Sequence, residues 1–590
     1  MDAVADPAIR EIWVMKSAQV GWTEILNNVI GYFVDQDAAP ILLVQPTLEM
    51  AESWSKDRLA PMIRDTPVLR DKVADPKSRD SGNTLLHKRF SGGHLTVAGA
   101  NSPAGLASRP VRIVLFDEVD RFPTSAGTEG DPVSLGRKRT TTFWNRRVLG
   151  GSTPTVKGAS RIEVAFEASD KRYFFVPCPH CGEFQRLVWA NIQWPEGCPD
   201  SAAYACPLCG ALSTEEYRPT MLAAGEWRAT APFTGIAGFH ISELYSPWVR
   251  WGETAQAFIE AKRLPETLRT WINTSLGETW EESRDAMEPD ALRLRAEDYE
   301  LGRSPAGALF FTCGVDVQGD RLECYTWGYG EGEESWVIDF RAFWGDPARA
   351  FVWDQLLEHL ARPIEHELGG LVVPRSVAVD SGGHHTQQVY SFCRLHGARH
   401  LEHGLQQIIA VKGQSQSGKP VIGKPTDQDI DLKGEKVRKG VKLWPVGSHA
   451  AKQVLYARLT IDAPGPGYIH TTKALPEDFW SQLIAERLIT KYVRGYPTIE
   501  WMLPSGRRNE ALDTAAYAYA AACQLGLPRL RSDDWMRLRK KLTIDRAAPE
   551  SAPVPPPEDV AHPMPSSAAP ARRNAFTGTP SRNWVTAWRK

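Results

Sequence analysis

The chain has 590 residues, of which 42% are hydrophobic and 24% charged, and its formal net charge is −2. This length is enough for two to four domains with cores of their own, and the composition is that of an ordinary globular protein. The nearly balanced charge excludes a basic nucleic-acid coat protein, so any contact with nucleic acid must use local basic patches.

Two features of the sequence bear on its location. It contains no apolar run of about 18 residues, so it predicts no transmembrane helix and no membrane partner. The N-terminus, Met1-Asp2-Ala3-Val4-Ala5-Asp6, is acidic and lacks the basic-then-apolar pattern of a secretory signal. We therefore expect a cytoplasmic protein.

Residues 11–160 alternate short apolar strands with helical stretches. The predicted strands, which lack polar alternation, are 12–15, 41–44, 95–98 and 111–116. Strands of this kind are typical of a parallel sheet that is buried on both faces. The sequence thus predicts an α/β fold that begins with a parallel-sheet domain.

A segment like a phosphate-binding loop, Lys16-Ser17-Ala18-Gln19-Val20-Gly21-Trp22-Thr23, follows the first strand. The usual loop is GxxxxGK[ST] between a strand and a helix. Gly21 and Thr23 fit its last Gly and Ser/Thr positions, whereas Trp22 stands at the Lys position and Lys16 at the first Gly position. We predict that Lys16, Ser17, Gly21, Trp22 and Thr23 bind a nucleotide, Lys16 through its phosphates and Thr23 through Mg²⁺. An ordinary strand–turn–helix is the alternative.

The strand Ile113-Val114-Leu115-Phe116-Asp117-Glu118 ends in two carboxylates. Asp117 would hold Mg²⁺ through water, and Glu118 would orient and deprotonate the attacking water. The spacing from the loop fits one doubly wound domain. Downstream, Gly151-Ser152-Thr153-Pro154 would sense the γ-phosphate and couple hydrolysis to movement. A solvated acidic turn and a plain loop are the alternatives.

Several basic residues between these motifs are candidates for a charge-stabilising arginine finger. They are Arg109 and the residues of 137–139 and 146–147. They flank Phe143 and Trp144, and such a mixture of basic and aromatic side chains suits a phosphate backbone. A solvated helix face is the alternative.

Two knuckles, Cys178-Pro179-His180-Cys181-Gly182 and Cys206-Pro207-Leu208-Cys209-Gly210, repeat the pattern CPxCG. Each glycine permits the tight turn that directs backbone amides at sulfur. Four thiolates leave no open coordination position on Zn²⁺. We therefore predict a structural zinc site formed by Cys178, Cys181, Cys206 and Cys209.

A strand-rich unit begins near residue 309, with predicted strands at 309–316, 322–327 and 335–339 in an antiparallel meander. Asp316 and Asp380 each end a predicted strand, and Asp513 lies at the start of a predicted helix, 510–525. Two strand-borne aspartates and one on a late helix are typical of an RNase H-like nuclease. There, converging carboxylates hold two divalent ions that activate water and stabilise the leaving oxygen.

Weaker candidates surround this set. Second-rank ligands are Asp320, Glu323, His384, His385 and Glu510. The basic stretch 433–442 would suit a DNA groove, although a lone charge run usually faces solvent.

The predicted domains follow from these motifs. They are an ATPase core (1–173), a zinc ribbon (174–215), an ATPase subdomain or linker (216–304), a nuclease (305–530) and a disordered tail (531–590). The tail is Pro/Ala/Ser-rich from about Ala547 and regains aromatic and charged residues at 583–590.

Taken together, these motifs resemble the large subunit of tailed-phage DNA-packaging terminases of the lambda-like, gpA type. The resemblance rests on 15–21 with its early lysine, Leu115-Phe116-Asp117-Glu118-Val119-Asp120, 151–154, the CPxCG pair and Gly314-Val315-Asp316-Val317-Gln318. It covers roughly residues 10 to 530 of the chain. It implies a P-loop ATPase of the RecA/helicase-like class, a zinc-ribbon insertion and an RNase H-like nuclease.

The resemblance also implies a function. Such an enzyme uses ATP to drive double-stranded DNA into a procapsid, in the host cytoplasm, and cuts concatemeric DNA with Mg²⁺ or Mn²⁺. Implied partners are a small subunit and the portal, on which a homo-oligomeric ring assembles and which Trp584 to Lys590 would dock. The implied ATP residues are Lys16, Gly21, Thr23, Asp117 and Glu118, and the implied cleavage residues are Asp316, Asp380 and Asp513.

Two departures from the family pattern stand out. Trp22 replaces a compact or basic residue, and only about ten residues precede the first strand, where the family carries an adenine-recognition segment. We therefore expect weak ATP affinity. The competing hypotheses are a helicase-like remodelling ATPase, a zinc-ribbon transposase-like nuclease without motor activity, and a non-catalytic scaffold from a decayed prophage.

Overall fold

The computed structural model describes residues 1–73, 83–107, 109–281, 287–416, 418–432, 435–493 and 496–544. All of them belong to one unit, Met1–Arg546. The segment 545–590, which includes the predicted portal-docking end, lies outside the described residues, as do two residues of the basic stretch 433–442. None of the described helices is both long and apolar enough to cross a membrane.

The first half of the chain builds a mixed sheet with helices on both faces. Its strands are β1 Glu11–Lys16, β2 Ile41–Gln45, β3 His87–Phe90, β4 Gly93–Gly99, β5 Ile113–Asp117, β6 Arg147–Ser152, β7 Arg172–Pro177, β8 Phe184–Arg186, β9 Ile192–Gln193, β10 Ala203–Ala205, β11 Leu212–Ser213, β12 Glu226–Ala229 and β13 Ile236–Ile241. Its helices are α1 Asp2–Ala5, α2 Trp22–Asp35, α3 Leu48–Trp54, α4 Ala60–Asp65, α5 Pro67–Arg70, α6 Pro103–Ala107, α7 Pro132–Lys138, α8 Arg161–Glu167, α9 Arg218–Ala223, α10 Trp251–Ala261 and α11 Pro265–Trp271.

The strand order is β12-β7-β13-β1-β6-β5-β2-β4-β3, with β8 beside β7. From β7 to β4 the neighbouring strands run parallel, whereas β12 and β3 are antiparallel strands at the two edges. Strands β2 and β5 are buried along their whole length, as continuous apolar runs in a parallel sheet require. The four predicted strands are confirmed, each extended by one or two residues or shifted slightly.

This topology brings the polar ends of four strands to one edge. Because parallel strands end at the same edge of a sheet, Lys16, Gln45, Asp117 and Ser152 all lie there. The remaining short strands β9, β10 and β11 form a separate three-stranded sheet beside the cysteine knuckles, in the order β11-β10-β9.

The second half of the chain builds a nine-stranded mixed sheet and two smaller sheets of three and two strands. Its strands are β14 Arg303–Ser304, β15 Phe310–Val317, β16 Arg321–Tyr329, β17 Ser335–Trp344, β18 Ile364–His366, β19 Leu371–Val372, β20 Ser376–Asp380, β21 Ala398–Leu401, β22 Gly404–Gln414, β23 Thr426–Leu432, β24 Glu435–Gly447, β25 Ile469–His470, β26 Arg487–Val493 and β27 Tyr496–Met502. Its helices are α12 Pro289–Leu294, α13 Ala350–Ala361, α14 Thr386–His396, α15 Ser448–Leu459, α16 Phe479–Leu483, α17 Glu510–Gln524 and α18 Ser532–Ile544.

The main path of the nine-stranded sheet is β23-β24-β22-β20-β15-β16-β17-β25, whereas β14-β18-β19 and β26-β27 form the two smaller sheets. The meander β15-β16-β17 is antiparallel, as predicted, and β20 lies parallel to β15 on its other side. Helix α17 crosses β15 very closely, since a β-carbon on Gly314 would lie 1.9 Å from the Thr514 carbonyl oxygen. Glycine at this position therefore lets the helix approach the strand and brings Asp513 to the end of β15.

One predicted boundary is wrong in the described part of the chain. Residues 531–544, assigned to the disordered tail, include the helix Ser532–Ile544. Trp535 and Leu542, seven residues apart, are buried against the core of the second sheet. The many charges of this segment hid the single apolar stripe by which the helix packs.

Candidate active sites

The loop after β1, which we call the Lys16 loop (residues 16–23), is shaped by two residues in the left-handed region. They are Gln19, at φ 55°, and Gly21, at φ 83°, which directly precedes α2. Among the described residues, the backbone N–H groups of Gln19 and Gly21 have no acceptor, and the buried Ser17 hydroxyl has no hydrogen-bond partner. Free donors at a helix N-terminus form an anion-binding cradle.

Lys16 and Glu118 form an ion pair over this cradle, with Nζ 2.8 Å from Oε1. The other oxygen, Oε2, accepts hydrogen bonds from Ser152 Oγ at 3.3 Å and from Thr153 Oγ1 at 3.2 Å. Burial works against ionisation of Glu118, but the charge and hydrogen bond of Lys16 outweigh it and lower its pKa. Glu118 is thus held as a carboxylate, the form that a general base needs.

The backbone at Glu118 is unusual. Its φ of 56° and ψ of 57° place a non-glycine residue in the left-handed region, immediately after the buried strand β5. Such conformations are rare and cluster at functional sites, where surrounding contacts hold them. The turn directs Glu118 back toward Lys16 and Ser152.

Asp117 has a different environment from that of its neighbour. Its Oδ2 accepts a hydrogen bond from Gln45 Nε2 at 3.0 Å across the adjacent strand β2. Burial raises the pKa of Asp117, although the Gln45 hydrogen bond opposes the rise. The pKa of Asp117 is therefore raised while that of Glu118 is lowered. Such a difference between two adjacent acids suits two different roles.

Trp22 turns its side chain into the core. It is buried, and a β-carbon on Gly151 would lie 2.4 Å from its indole, so glycine in β6 makes room for it. Only the backbone of Trp22 is therefore placed to meet a phosphate at the helix start.

Two of the predicted basic residues, Arg137 and Arg147, lie away from this edge. Arg137 Nη2 pairs with Glu11 Oε2 at 2.6 Å, and Arg147 donates to the carbonyls of Val4 and Asp6. Glu11 and Arg147 begin the strands β1 and β6, about 17 Å from their carboxyl ends. Arg137 and Arg147 are therefore not fingers for the Lys16 loop of their own chain.

Arg121, which sequence reasoning missed, lies 3.7 Å from Glu118. Arg109 contacts His87 on β3, with Nη1 3.4 Å from Nε2.

A π-helical turn, Ile272–Leu276, continues α11 and packs behind the Lys16 loop. The Thr274 carbonyl accepts a hydrogen bond from Ala18 N–H at 2.7 Å. Gly277 follows in the left-handed region and touches the backbone of Lys16 and Ser17. The buried His240 Nε2 donates to the Gly277 carbonyl at 3.1 Å, and burial lowers the pKa of His240 to about 3.

The four knuckle cysteines come together as predicted. Cys178 Sγ lies 3.8 Å from Cys209 Sγ, and Cys181 Sγ lies 3.9 Å from Cys206 Sγ. A tetrahedral ion with Zn–S bonds of about 2.3 Å needs sulfurs about 3.8 Å apart. In both knuckles the glycine N–H donates to the carbonyl of the first cysteine at 2.9 Å.

The predicted nuclease aspartates meet at the carboxyl edge of the second sheet. Asp316 ends β15, Asp380 ends the parallel neighbour β20, and Asp513 lies on α17. Burial, with the charge of Asp513 next, raises the pKa of Asp316 to about 7. Burial also raises the pKa of Asp380 and of Asp513.

Three further residues, Lys452, Glu486 and Asn509, belong to this cluster, and the sequence did not reveal them. Lys452 is only 7% exposed, and its Nζ lies 2.7 Å from Asp513 Oδ1 and 2.5 Å from Glu486 Oε1. Asn509 Nδ2 bridges the same two carboxylates at 2.9 and 2.6 Å. The charges of Asp513 and Glu486 outweigh burial and raise the pKa of Lys452, so it remains an ammonium.

The second-rank candidates divide into two groups. Glu323 lies opposite Asp316 in the strand register, but Arg321 and Arg508 pair with both Glu323 and Glu510. Asp320 pairs with Arg321 on the surface. These carboxylates are neutralised by arginine, whereas His384 and His385 lie in the loop before α14.

Within the described ranges, the four cysteines alone form a group of three or more ligand side chains whose donor atoms all lie within 4.8 Å of one another. The carboxylate oxygens of Asp316, Asp380 and Asp513 therefore do not all lie within 4.8 Å of one another, although the charges of Asp513 and Asp380 act on Asp316. Their hard oxygen donors nonetheless suit Mg²⁺ or Mn²⁺.

The geometry thus gives an α/β protein with an anion-binding type of loop at the carboxyl edge of one sheet and an acidic cluster at the carboxyl edge of another. Two family models match the chain: the phage terminase large subunit gpA ATPase domain over residues 1–227 and the terminase large subunit gpA endonuclease domain over residues 236–535.

Curated relatives are similar to this chain over most of its length. The terminase large subunits of Enterobacteria phage P21 and Escherichia phage lambda are each 32% identical to this chain, over 88% of it and 84% of the relative. A solved large terminase from the thermophilic bacteriophage D6E is 10% identical, with a TM-score of 0.41, over 88% of this chain and 95% of that one.

The chain belongs to the gpA family of phage terminase large subunits. It is an ATPase and an endonuclease of phage DNA packaging, and the prediction of family and activity is confirmed.

Proposed function

We propose that the Lys16 loop is the P-loop of the packaging ATPase and binds ATP with Mg²⁺. Lys16, Ser17, Gly21 and Thr23 would hold the phosphates and the ion, together with the backbone of Trp22. Asp117 would orient the hydrated ion, and Glu118 would accept a proton from the attacking water. The free N–H groups of the loop and the ionised Glu118 support these roles.

We propose that the second sheet is an RNase H-like nuclease whose cleavage residues are Asp316, Asp380 and Asp513. Bound divalent ions, two by our hypothesis, would supply an activated water and stabilise the leaving oxygen of the cut strand. Lys452 fixes Asp513 and keeps one side of the cluster positively charged. Burial, together with the negative charges of Asp513 and Asp380, raises the pKa of Asp316, and this cost of its ionisation supports a cation site there.

We propose further that Cys178, Cys181, Cys206 and Cys209 hold Zn²⁺ in a zinc ribbon, which the sulfur spacing supports. The proposed domains are an ATPase core (1–173), the ribbon (174–215), an ATPase subdomain (216–304) and the nuclease (305–530). Strand β13 pairs with β1 in the first sheet, whereas β15 begins the second, which supports a boundary between residues 241 and 310.

The proposed partners follow from the family. They are double-stranded DNA, a terminase small subunit and the procapsid portal, on which this chain would assemble as a homo-oligomeric ring. The proposed location is the host cytoplasm.

One observation carries the proposal: each carboxylate site lies at the carboxyl edge of its own sheet and has its own buried lysine. The test is cleavage of supercoiled plasmid by the full chain with Mg²⁺ or Mn²⁺, beside Asp316→Ala. Metal-dependent nicking that the variant loses is the expected result. Equal nicking by the variant would contradict the assignment, as would no cleavage by the folded wild type with either metal.

A further inference from the structure

An exposed tryptophan stands beside the Lys16 loop. Trp248 is 68% exposed, and a β-carbon placed on Gly21 would lie 3.6 Å from its Cη2 atom. Cη2 is the tip of the six-membered ring, so the indole points at the loop with its tip and extends away from it. Among the described residues, this indole makes no contact with another aromatic ring.

The backbone that carries Trp248 is anchored on both sides. The Trp248 N–H donates to the Oγ of the buried Ser246 at 3.3 Å. The next carbonyl, of Val249, accepts a hydrogen bond from Arg218 Nη1 at 2.7 Å, and Arg218 is itself buried. The indole is therefore presented to solvent from a fixed position and not from a loose loop.

Gly21 keeps the space between the cradle and the indole open. Its φ of 83° is unfavourable for residues with a side chain, and a side chain there would contact Trp248. Trp248 follows β13, which lies on the side of β1 opposite β6 and β5. A nucleotide whose phosphates occupy the loop can thus extend toward Trp248 without crossing Asp117 and Glu118.

We propose that Trp248 is the stacking surface for the purine base of the nucleotide held by the Lys16 loop. The inference rests on the proposed role of that loop. A flat, rigid, exposed ring suits the face of a base, and such stacking contributes about 1–3 kcal/mol whatever the base. Trp248 lies downstream of the loop, so this contact does not depend on any segment upstream of β1.

The test uses the full chain and three ligands with Mg²⁺: non-hydrolysable analogues of ATP and of GTP, and inorganic tripolyphosphate. Trp248→Ala should weaken both nucleotides by about 5- to 150-fold and leave tripolyphosphate unchanged, since it has no base. Trp248→Phe should retain most of the affinity. The matched control is Trp344→Ala, which removes an equally large and similarly exposed indole (65%) at the end of β17 in the second half of the chain.

Each other outcome overturns the assignment. Unchanged nucleotide binding by Trp248→Ala would show that the indole does not meet the base. Equal weakening of tripolyphosphate would show that it shapes the loop instead. Failure of the wild type to bind any of the three ligands would reject the nucleotide site itself, and the stacking role with it.

Discussion

Both proposed active sites pair a buried lysine with carboxylates, but they balance charge differently. In the first sheet Lys16 meets a single acid, Glu118, and lowers its pKa. In the second, Lys452 is shared by Asp513 and Glu486 while Asp316 and Asp380 stay close by. The first site is nearly neutral as it stands, whereas the second has an excess of buried negative charge.

This difference in net charge indicates which kind of ligand each site is suited to bind. A neutral cradle with free N–H donors is suited to an incoming polyphosphate that carries its own Mg²⁺. A cluster whose acids resist ionisation is relieved by a cation that binds directly to the protein. The two chemistries should therefore be separable by mutation, by chelation and by pH.

The largest expected effect is the separation of the two activities. Glu118→Gln should lower ATP hydrolysis by about 10²–10⁴-fold, because the general base is lost, and leave plasmid cleavage unchanged. Asp316→Asn should abolish cleavage and leave ATP hydrolysis without DNA unchanged. Both activities are measured on the same preparations, and loss of both in either variant would contradict two independent sites.

Chelation should separate the two kinds of metal site. EDTA should stop cleavage at once, and added Mg²⁺ or Mn²⁺ should restore it, whereas about one zinc per chain should persist through the same treatment. Cys206→Ser should lose that zinc, and Cys198→Ser, which changes an exposed cysteine outside the cluster, is the control. Elemental analysis after dialysis measures this, and zinc retained by Cys206→Ser would reject the four-cysteine site.

Removing the lysine of the more acidic site should destabilise the fold. Lys452→Ala leaves the buried Glu486 and the half-buried Asp513 without their cation, a loss of about 3–5 kcal/mol. For a domain of this size the corresponding unfolding transition should fall by about 6–20 °C in scanning calorimetry.

A second variant tests the cause of this loss. Adding Glu486→Gln to Lys452→Ala should recover part of the stability, because one unpaired charge is then gone. Lys16→Ala should cost less, since only one carboxylate, Glu118, then loses its cation, and it keeps its Ser152 and Thr153 hydrogen bonds. An Ala variant of Lys452 as stable as the wild type would contradict the charge argument.

The sequence predicted the parts of each site that lie within one strand–turn unit. The Lys16 loop, the Asp117-Glu118 pair and the cysteine knuckles each have a local pattern whose chemistry can be read directly. The aspartates at the ends of β15 and β20 were also predictable, because parallel strands end at a common edge. Their roles, as distinct from their positions, remain predictions.

Other residues had no such pattern. Lys452 and Glu486 come from separate segments and meet only through packing around α17, and neither has a sequence context that suggests a site. Arg147 begins β6 and Arg137 lies on α7, and spacing along the chain does not show at which edge of the sheet either residue lies. Helix α18 was missed because one apolar stripe is easily hidden among charged residues.

The smallest effect is a difference in acid response. His240, behind the Lys16 loop, is kept neutral by burial, with its pKa lowered to about 3, whereas the unfolded side chain binds a proton near pH 6.5. The unfolded state therefore binds more protons between these values, and stability must fall as the pH drops below 6.5, by about 2 kcal/mol at pH 5. The aspartates of the second site act in the opposite sense, because their raised pKa makes the folded state the better proton acceptor.

Calorimetry in chelator at pH 7.5 and pH 5 checks this difference. The transition of the first sheet should move down on acidification, relative to that of the second. His240→Gln, which keeps a donor for the Gly277 carbonyl but does not titrate, should remove the His240 part of the shift. If the variant and the wild type respond alike to acid, His240 is not the residue that makes the ATPase half sensitive. The acid response would then have to come from other groups of that half, such as Glu118, whose lowered pKa gives a loss of the same sign at lower pH.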